Sequence, residues 1–126
     1  MKLILAIAAG GALGAVGRHL VAAQVGHWLG SGFPFGTIAV NVAGSFVLGV
    51  LVELFALVWS PSLELRAFLT VGAMGAFTTF STFSMDAVLL YERGAHAQVA
   101  AYIGASVVFS ILAFFLGLRL CRALVM

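Results

Sequence analysis

Charge is what this chain has least of. Six Lys/Arg and four Asp/Glu make up 8% of its 126 residues, against roughly 25% in an average soluble domain. Hydrophobic residues reach 63%, and the mean hydropathy is +1.21. A soluble domain this small has too much surface for its volume to hide that apolar load. A soluble enzyme, a disordered tail and a nucleic-acid-binding module are therefore excluded. The net charge of +2 and the pI near 9.2 come from very few groups and mark no basic binding patch. A single cysteine, Cys121, rules out an internal disulfide framework and a cysteine-based zinc site. Nucleophile–base pairings, phosphate-binding glycine loops and His/Asp/Glu clusters at metal-ligand spacing are missing too, so no enzyme is expected. What remains is an integral membrane protein embedded in the lipid bilayer.

A bilayer-spanning helix needs about 20 apolar residues. Uncharged stretches run from Leu3 to Gly17, His19 to Val52, Ala67 to Met85 and Gly94 to Leu118. The second is too long for one span, and Gly30-Ser31-Gly32-Phe33-Pro34 divides it with a turn signal. The expected architecture is all-α, with four transmembrane helices at about 3–25, 35–58, 65–91 and 96–121 forming one domain over 1–126. Ser60-Pro61-Ser62 and Glu92-Arg93-Gly94 make the other turns. The runs are continuously apolar, without the alternation of a membrane β-barrel. Read as a cleaved signal, Met1-Lys2 and the run after it would leave three spans. That run continues past Arg18 to Val25, longer than a signal's apolar region. Small residues at four-residue spacing (Gly10/Gly14, Ala39/Ala43, Ala97/Ala101/Ala105, Ala113/Gly117) let helices approach closely in lipid. Lys2, Arg66, Arg119 and Arg122 fall on the side of the termini, Arg18 and Arg93 on the other. That bias toward cytoplasmic termini is slight.

Polar groups in hydrocarbon usually face a partner, a cavity or a pathway. Asn41 lies about two turns into helix 2, with Ser45 one turn further on the same face. Its amide serves either an interhelical hydrogen bond or a pathway. Helix 3 carries Gly75-Ala76-Phe77-Thr78-Thr79-Phe80-Ser81-Thr82-Phe83-Ser84, in which hydroxyls alternate with phenylalanines. Glycine and threonine are weak helix formers, and hydroxyls compete for backbone groups. A helix break near mid-membrane is expected here. Such a break is tolerated where it is buried or lines a cavity, and its freed carbonyls are potential cation ligands. Phe80 and Phe83 lie three apart, near each other on the helix surface. Their electron-poor ring edges can face an anion without a fixed positive charge. In helix 4, Tyr102, Ser106 and Ser110 form one stripe of hydroxyls. Each Ser alone could instead bond its own helix. Arg18, Glu53 and Asp86 sit near helix ends, where they can snorkel or pair.

At Asn41-Val42-Ala43-Gly44-Ser45 and Gly75 through Ser84 the chain resembles the Fluc (CrcB) family of bacterial fluoride ion channels. The likeness extends through Gly10-Gly11-x-x-Gly14-x-x-x-Arg18, Gly36-Thr37-x-x-x-Asn41 and the specific run Thr79-Phe80-Ser81-Thr82-Phe83-Ser84. It implies an antiparallel, dual-topology homodimer in the bacterial inner membrane, with two fluoride pathways that export cytoplasmic fluoride passively. Phe80 and Phe83 would line the pores and Asn41 would donate to fluoride. Ser81, Thr82 and Ser84 match the hydroxyls after each Phe, and Tyr102, Ser106 and Ser110 match a hydroxyl track. Backbone carbonyls of Gly75 and Thr78 would hold a structural sodium ion that is not transported. Asp86 matches an acidic residue that follows the motif in relatives, while Glu53 has no counterpart. Fluoride is small and strongly hydrated, so amide, hydroxyls and ring edges must replace its water yet let it leave. Two other readings compete. A small multidrug-type proton-coupled transporter also has four helices, but needs an embedded acid in helix 1, where this chain has none. A structural subunit of a larger membrane complex would explain the small-residue faces but not the Phe/hydroxyl segment.

Overall fold

Hydrocarbon offers backbone groups no water, so each apolar run must satisfy its own amides by coiling into a helix. A computed structural model describes all residues, 1–126. Helix α1 spans Lys2–Leu29 and α2 spans Phe35–Leu57. The third run is composite: α3 (Leu63–Ala67), a π-helical stretch (Phe68–Met74), α4 (Gly75–Phe77) and, after an interruption, α5 (Ser81–Glu92). Helix α6 covers His96–Val125. Together they make four apolar spans, Leu63–Glu92 being the third. The fold is all-helical, and the chain is a multi-pass membrane protein.

The helix ends differ in detail from the expected ones. Helix α1 runs about a turn past Val25, because nothing there breaks it until Gly30, whose φ of 86° suits glycine. Helix α6 likewise continues past Cys121 to Val125. Ser62 caps α3 by accepting from Leu65 N at 3.2 Å. The π-helical stretch has no counterpart in the expectations, and it shifts the phase of every side chain after it.

The packing is inside-out relative to a soluble bundle. Large apolar residues such as Leu13, Val71, Ile111 and Leu116 face outward, while half of the buried positions are glycine or alanine. Gly10 and Gly14 press against the Phe68 and Ala73 carbonyls of the third span, so an added Cβ would collide with backbone. Gly49 meets the Phe114 carbonyl and Gly117 the Phe46 carbonyl, a reciprocal pair that joins α2 to α6. These are the close approaches that small residues permit. Ala113 is buried in the same seam, whereas Ala97 and Ala101 are exposed and join no helix within the chain.

The seam is locked at one end by charge. Glu53 is buried, and Arg122 Nε donates to its Oε1 at 2.5 Å. Arg66 lies over the Phe55 ring at 5.1 Å, at the same end. A buried pair broken on one side leaves an uncompensated charge, whereas replacing both halves is far milder. We therefore expect Arg122→Met to lower the thermal unfolding temperature of the detergent-solubilised protein. Combining it with Glu53→Gln should recover much of the loss. Equal stability of Arg122→Met and the unmodified chain would show that the pair contributes nothing.

Candidate functional site

The third span stops and restarts at its middle. Helix α4 ends at Phe77, Thr78 is extended (φ −91°, ψ 162°), and α5 begins at Ser81. Two neighbours, and a hydroxyl of the interruption itself, take up the groups this releases. Asn41 on α2 pairs with both backbone groups of Thr79: its Nδ2 donates to Thr79 O at 2.9 Å, and Thr79 N donates to its Oδ1 at 2.7 Å. Arg18 Nε on α1 donates to Ala76 O at 3.0 Å. Thr79 Oγ1 accepts from Thr82 N at 3.1 Å and so caps α5.

Beside the interruption lies a cavity of about 420 Å³, lined by Asn41 and Ser45 of α2, Gly75 through Phe83 of the third span in part (Gly75, Thr78, Thr79, Phe80, Phe83), and Ser106, Val107, Ser110 and Ile111 of α6. No charged side chain reaches it. Ser106 is buried, and its Oγ has no hydrogen-bond partner. A buried hydroxyl left open is costly unless something else occupies the site. The Phe80 and Phe83 rings stand 5.4 Å apart, tilted by 48°. Phe80 is 77% exposed and projects beyond its own chain.

The structure thus gathers Asn41, Phe80, Phe83, Ser106 and Ser110 with Gly75 and Thr78 around one cavity. The remaining hydroxyls lie elsewhere. Ser84 Oγ donates to Phe80 O at 3.0 Å, the local back-bonding open to any helical serine. Ser81 is exposed, its Oγ 3.4 Å from Thr79 Oγ1. Thr82 Oγ1 faces Arg18 at 3.4 Å. Tyr102 lies on the stripe with Ser106 and Ser110 and is fully buried, but its hydroxyl donates to Asp86 Oδ2 at 2.9 Å. Thr37 Oγ1 donates to the same oxygen at 2.7 Å. Tyr102 does not line the cavity, but its ring backs that of Phe83 at 5.3 Å. Sequence reasoning placed Asn41 on the right helix but did not foresee its partner. Thr79 lies 38 residues away, and no spacing rule reaches so far.

Chemically, the cavity is lined by hydroxyls, an amide and aromatic rings. The chain's sequence relatives share one name. The family described as "CrcB-like protein, Camphor Resistance (CrcB)" matches residues 5–118. The chain belongs to the CrcB family. It is 57% identical over 125 residues, 99% of both chains, to a protein of Rhodospirillum centenum named "Fluoride-specific ion channel FluC". Proteins of the same name from Chelativorans sp. (51% over 121 residues, 96% of this chain and 97% of the relative) and Agrobacterium fabrum (53% over 118 residues, 94% of both) are similarly close. The CrcB chain described here therefore matches its relatives along nearly their whole length.

The Asn41 contact has a direct consequence. Each of its two hydrogen bonds is worth about 1 kcal/mol. Asn41→Asp leaves Thr79 N a partner but sets a carboxylate against Thr79 O, so it should destabilise the fold more than Asn41→Ala. Thermal unfolding of the two variants side by side tests this. An Asp variant as stable as the parent would mean that the amide does not hold the interruption.

Proposed function

We propose that this chain is a fluoride-selective channel that exports cytoplasmic fluoride passively. It works as an antiparallel homodimer around a structural sodium ion. The reading is carried by the cavity, whose donors are present but whose lining holds no fixed charge. A lysine or arginine there would trap a small anion, whereas an amide, hydroxyls and ring edges bind it weakly enough to let it leave. The names of the relatives point to the same ion. Fluoride enters a cell as neutral HF and dissociates inside, so an open passive path is enough to return it. A proton-coupled antiporter would need a titratable acid in the path. The acids here lie elsewhere: Glu53 pairs with Arg122, and Asp86 accepts from Thr37 and Tyr102.

The second copy is supported by what one chain leaves uncovered. Phe80, Gly75 and the cavity mouth are open to the bilayer, where polar groups need a partner. The carbonyls of Gly75 and Thr78 suit sodium, a hard cation served by oxygen and by unwound helix. One chain supplies two such oxygens. A two-fold axis in the membrane plane would bring equal depths of two chains together and supply four.

Purified protein in liposomes should release fluoride under a potassium gradient with valinomycin. Phe80→Ile and Phe83→Ile should reduce that release severely while the dimer stays folded. Unchanged release in both would sink the pore assignment, and no release from the parent protein would sink the channel.

Orientation needs a single exposed thiol. Gly94 has a φ of 76° and would be strained by any side chain. Ser31 is exposed in the turn on the same side. Ser31→Cys in a Cys121→Ser background, probed in intact cells with a membrane-impermeant reagent, should label in about half the molecules from each side, since the Lys/Arg bias is slight. Labelling from one side alone would exclude dual topology.

A further inference from the structure

Gly44 sits one turn beyond Asn41 on α2 and is buried. It borders the interruption one residue before the one that Asn41 holds. A Cβ placed there would run into the Thr78 methyl, and would stand 3.1 Å from Cδ2 of Phe77. The Phe77 ring can yield by a few tenths of an ångström. The Thr78 methyl cannot turn aside, because its side chain is already committed. Thr78 Oγ1 donates to Met74 O at 3.0 Å, and Thr78 N donates to the same carbonyl at 3.1 Å. Rotating the methyl away from α2 breaks the first of these bonds. The next residue, Thr79, is clasped by Asn41.

We infer that Gly44 is a positioning residue: its missing side chain is the seat for the Thr78 methyl, and this seat sets how deeply the interruption sits against α2. The depth fixes the direction of the Thr78 carbonyl and the height of Phe80 at the cavity. The inference rests on the channel reading above but assigns a role to a residue that touches no ion. Helix propensity alone favours Ala over Gly inside a helix, so any loss on Gly44→Ala has to come from what the added Cβ meets, the Thr78 methyl and, less closely, the Phe77 ring.

The test is a double-mutant cycle in the full-length protein, with fluoride release from liposomes as readout. Thr78→Ser removes the obstructing methyl and keeps the hydroxyl that bonds Met74. Gly44→Ala in the parent background should cut release by about tenfold or more, since small misplacements near a reacting or permeating group are expensive. In the Thr78→Ser background the same substitution should cost at most about threefold, a coupling within the usual range for touching residues. Gly104→Ala, where a Cβ meets nothing within 4 Å, controls for glycine replacement as such and should release fluoride like the parent. Parental release from Gly44→Ala overturns the inference. So does a loss that is equally large in the Thr78→Ser background, since a purely packing role for Gly44 would not be relieved there. If Gly44→Ala yields no folded dimer, recovery of folded protein by the added Thr78→Ser reads the same coupling, and failure to recover overturns it. If the parent releases no fluoride, the channel reading falls. The seat is then judged by the same cycle in thermal unfolding.

Discussion

The backbone of one residue inside the membrane, Thr79, governs the rest of this fold. Where the third span breaks at Thr78–Phe80, the Thr79 amide and carbonyl lose their helical partners in a medium that supplies none. A single asparagine replaces both, because a carboxamide carries a donor and an acceptor side by side. Asn41 must therefore arrive at one height and one rotation. Much of α2 serves that requirement: Gly36 lies against the Ala22 carbonyl, Gly44 leaves room for Thr78, and Gly49 packs on Phe114. Arg18 attends to the carbonyl just before the break, from the opposite helix.

Lipid changes what packing must do. Between helices in a bilayer there is little hydrophobic driving force, so association depends on close contact and hydrogen bonds. This accounts for the inside-out distribution. Leucines and valines outside face acyl chains at no cost, while glycines inside bring backbone to backbone. Contacts of glycine on a carbonyl have no flexible side chain to absorb an error. A frame of this kind holds an irregular segment in a fixed place, as soft packing by long side chains would not.

Much of this was legible in the sequence, and what was not has physical causes. The four spans follow from run length, and the turn at Gly30–Pro34 from residues that cannot continue a helix. The Phe/hydroxyl segment stands out because bulk alone does not call for interleaved Thr and Ser. The destination of each hydroxyl was not readable. Periodicity of 3.6 presumes an unbroken α-helix, and the π-helical stretch at Phe68–Met74 together with the extended Thr78 rotates everything beyond them. Hence Ser81, Thr82 and Ser84 fall outside the cavity while Phe83 lines it. In α6, which is unbroken, the stripe of Tyr102, Ser106 and Ser110 stayed on one face. Only the orientation of the tyrosine hydroxyl escaped, since it depends on Asp86 across the bundle. Glu53 had no visible purpose, because its partner Arg122 lies 69 residues on.

The break also brings partial charges of both signs to one cavity without a single formal charge in its wall. An unbroken helix shows its carbonyl and amide ends only at the membrane surfaces. Interrupting the third span brings both ends inside. The helical stretch that ends at Phe77 presents its carbonyl end, with Gly75 and Thr78 beside it, and such an end favours a cation. Helix α5, starting at Ser81, presents its amide end next to Phe80 and Phe83, and such an end favours an anion. Both effects are partial charges, too weak to trap an ion as an ammonium or carboxylate would. Low dielectric makes them felt nonetheless. Between the two ends, the Asn41 amide satisfies both backbone groups of Thr79, so the segment that joins them leaves no amide or carbonyl of that residue bare to lipid.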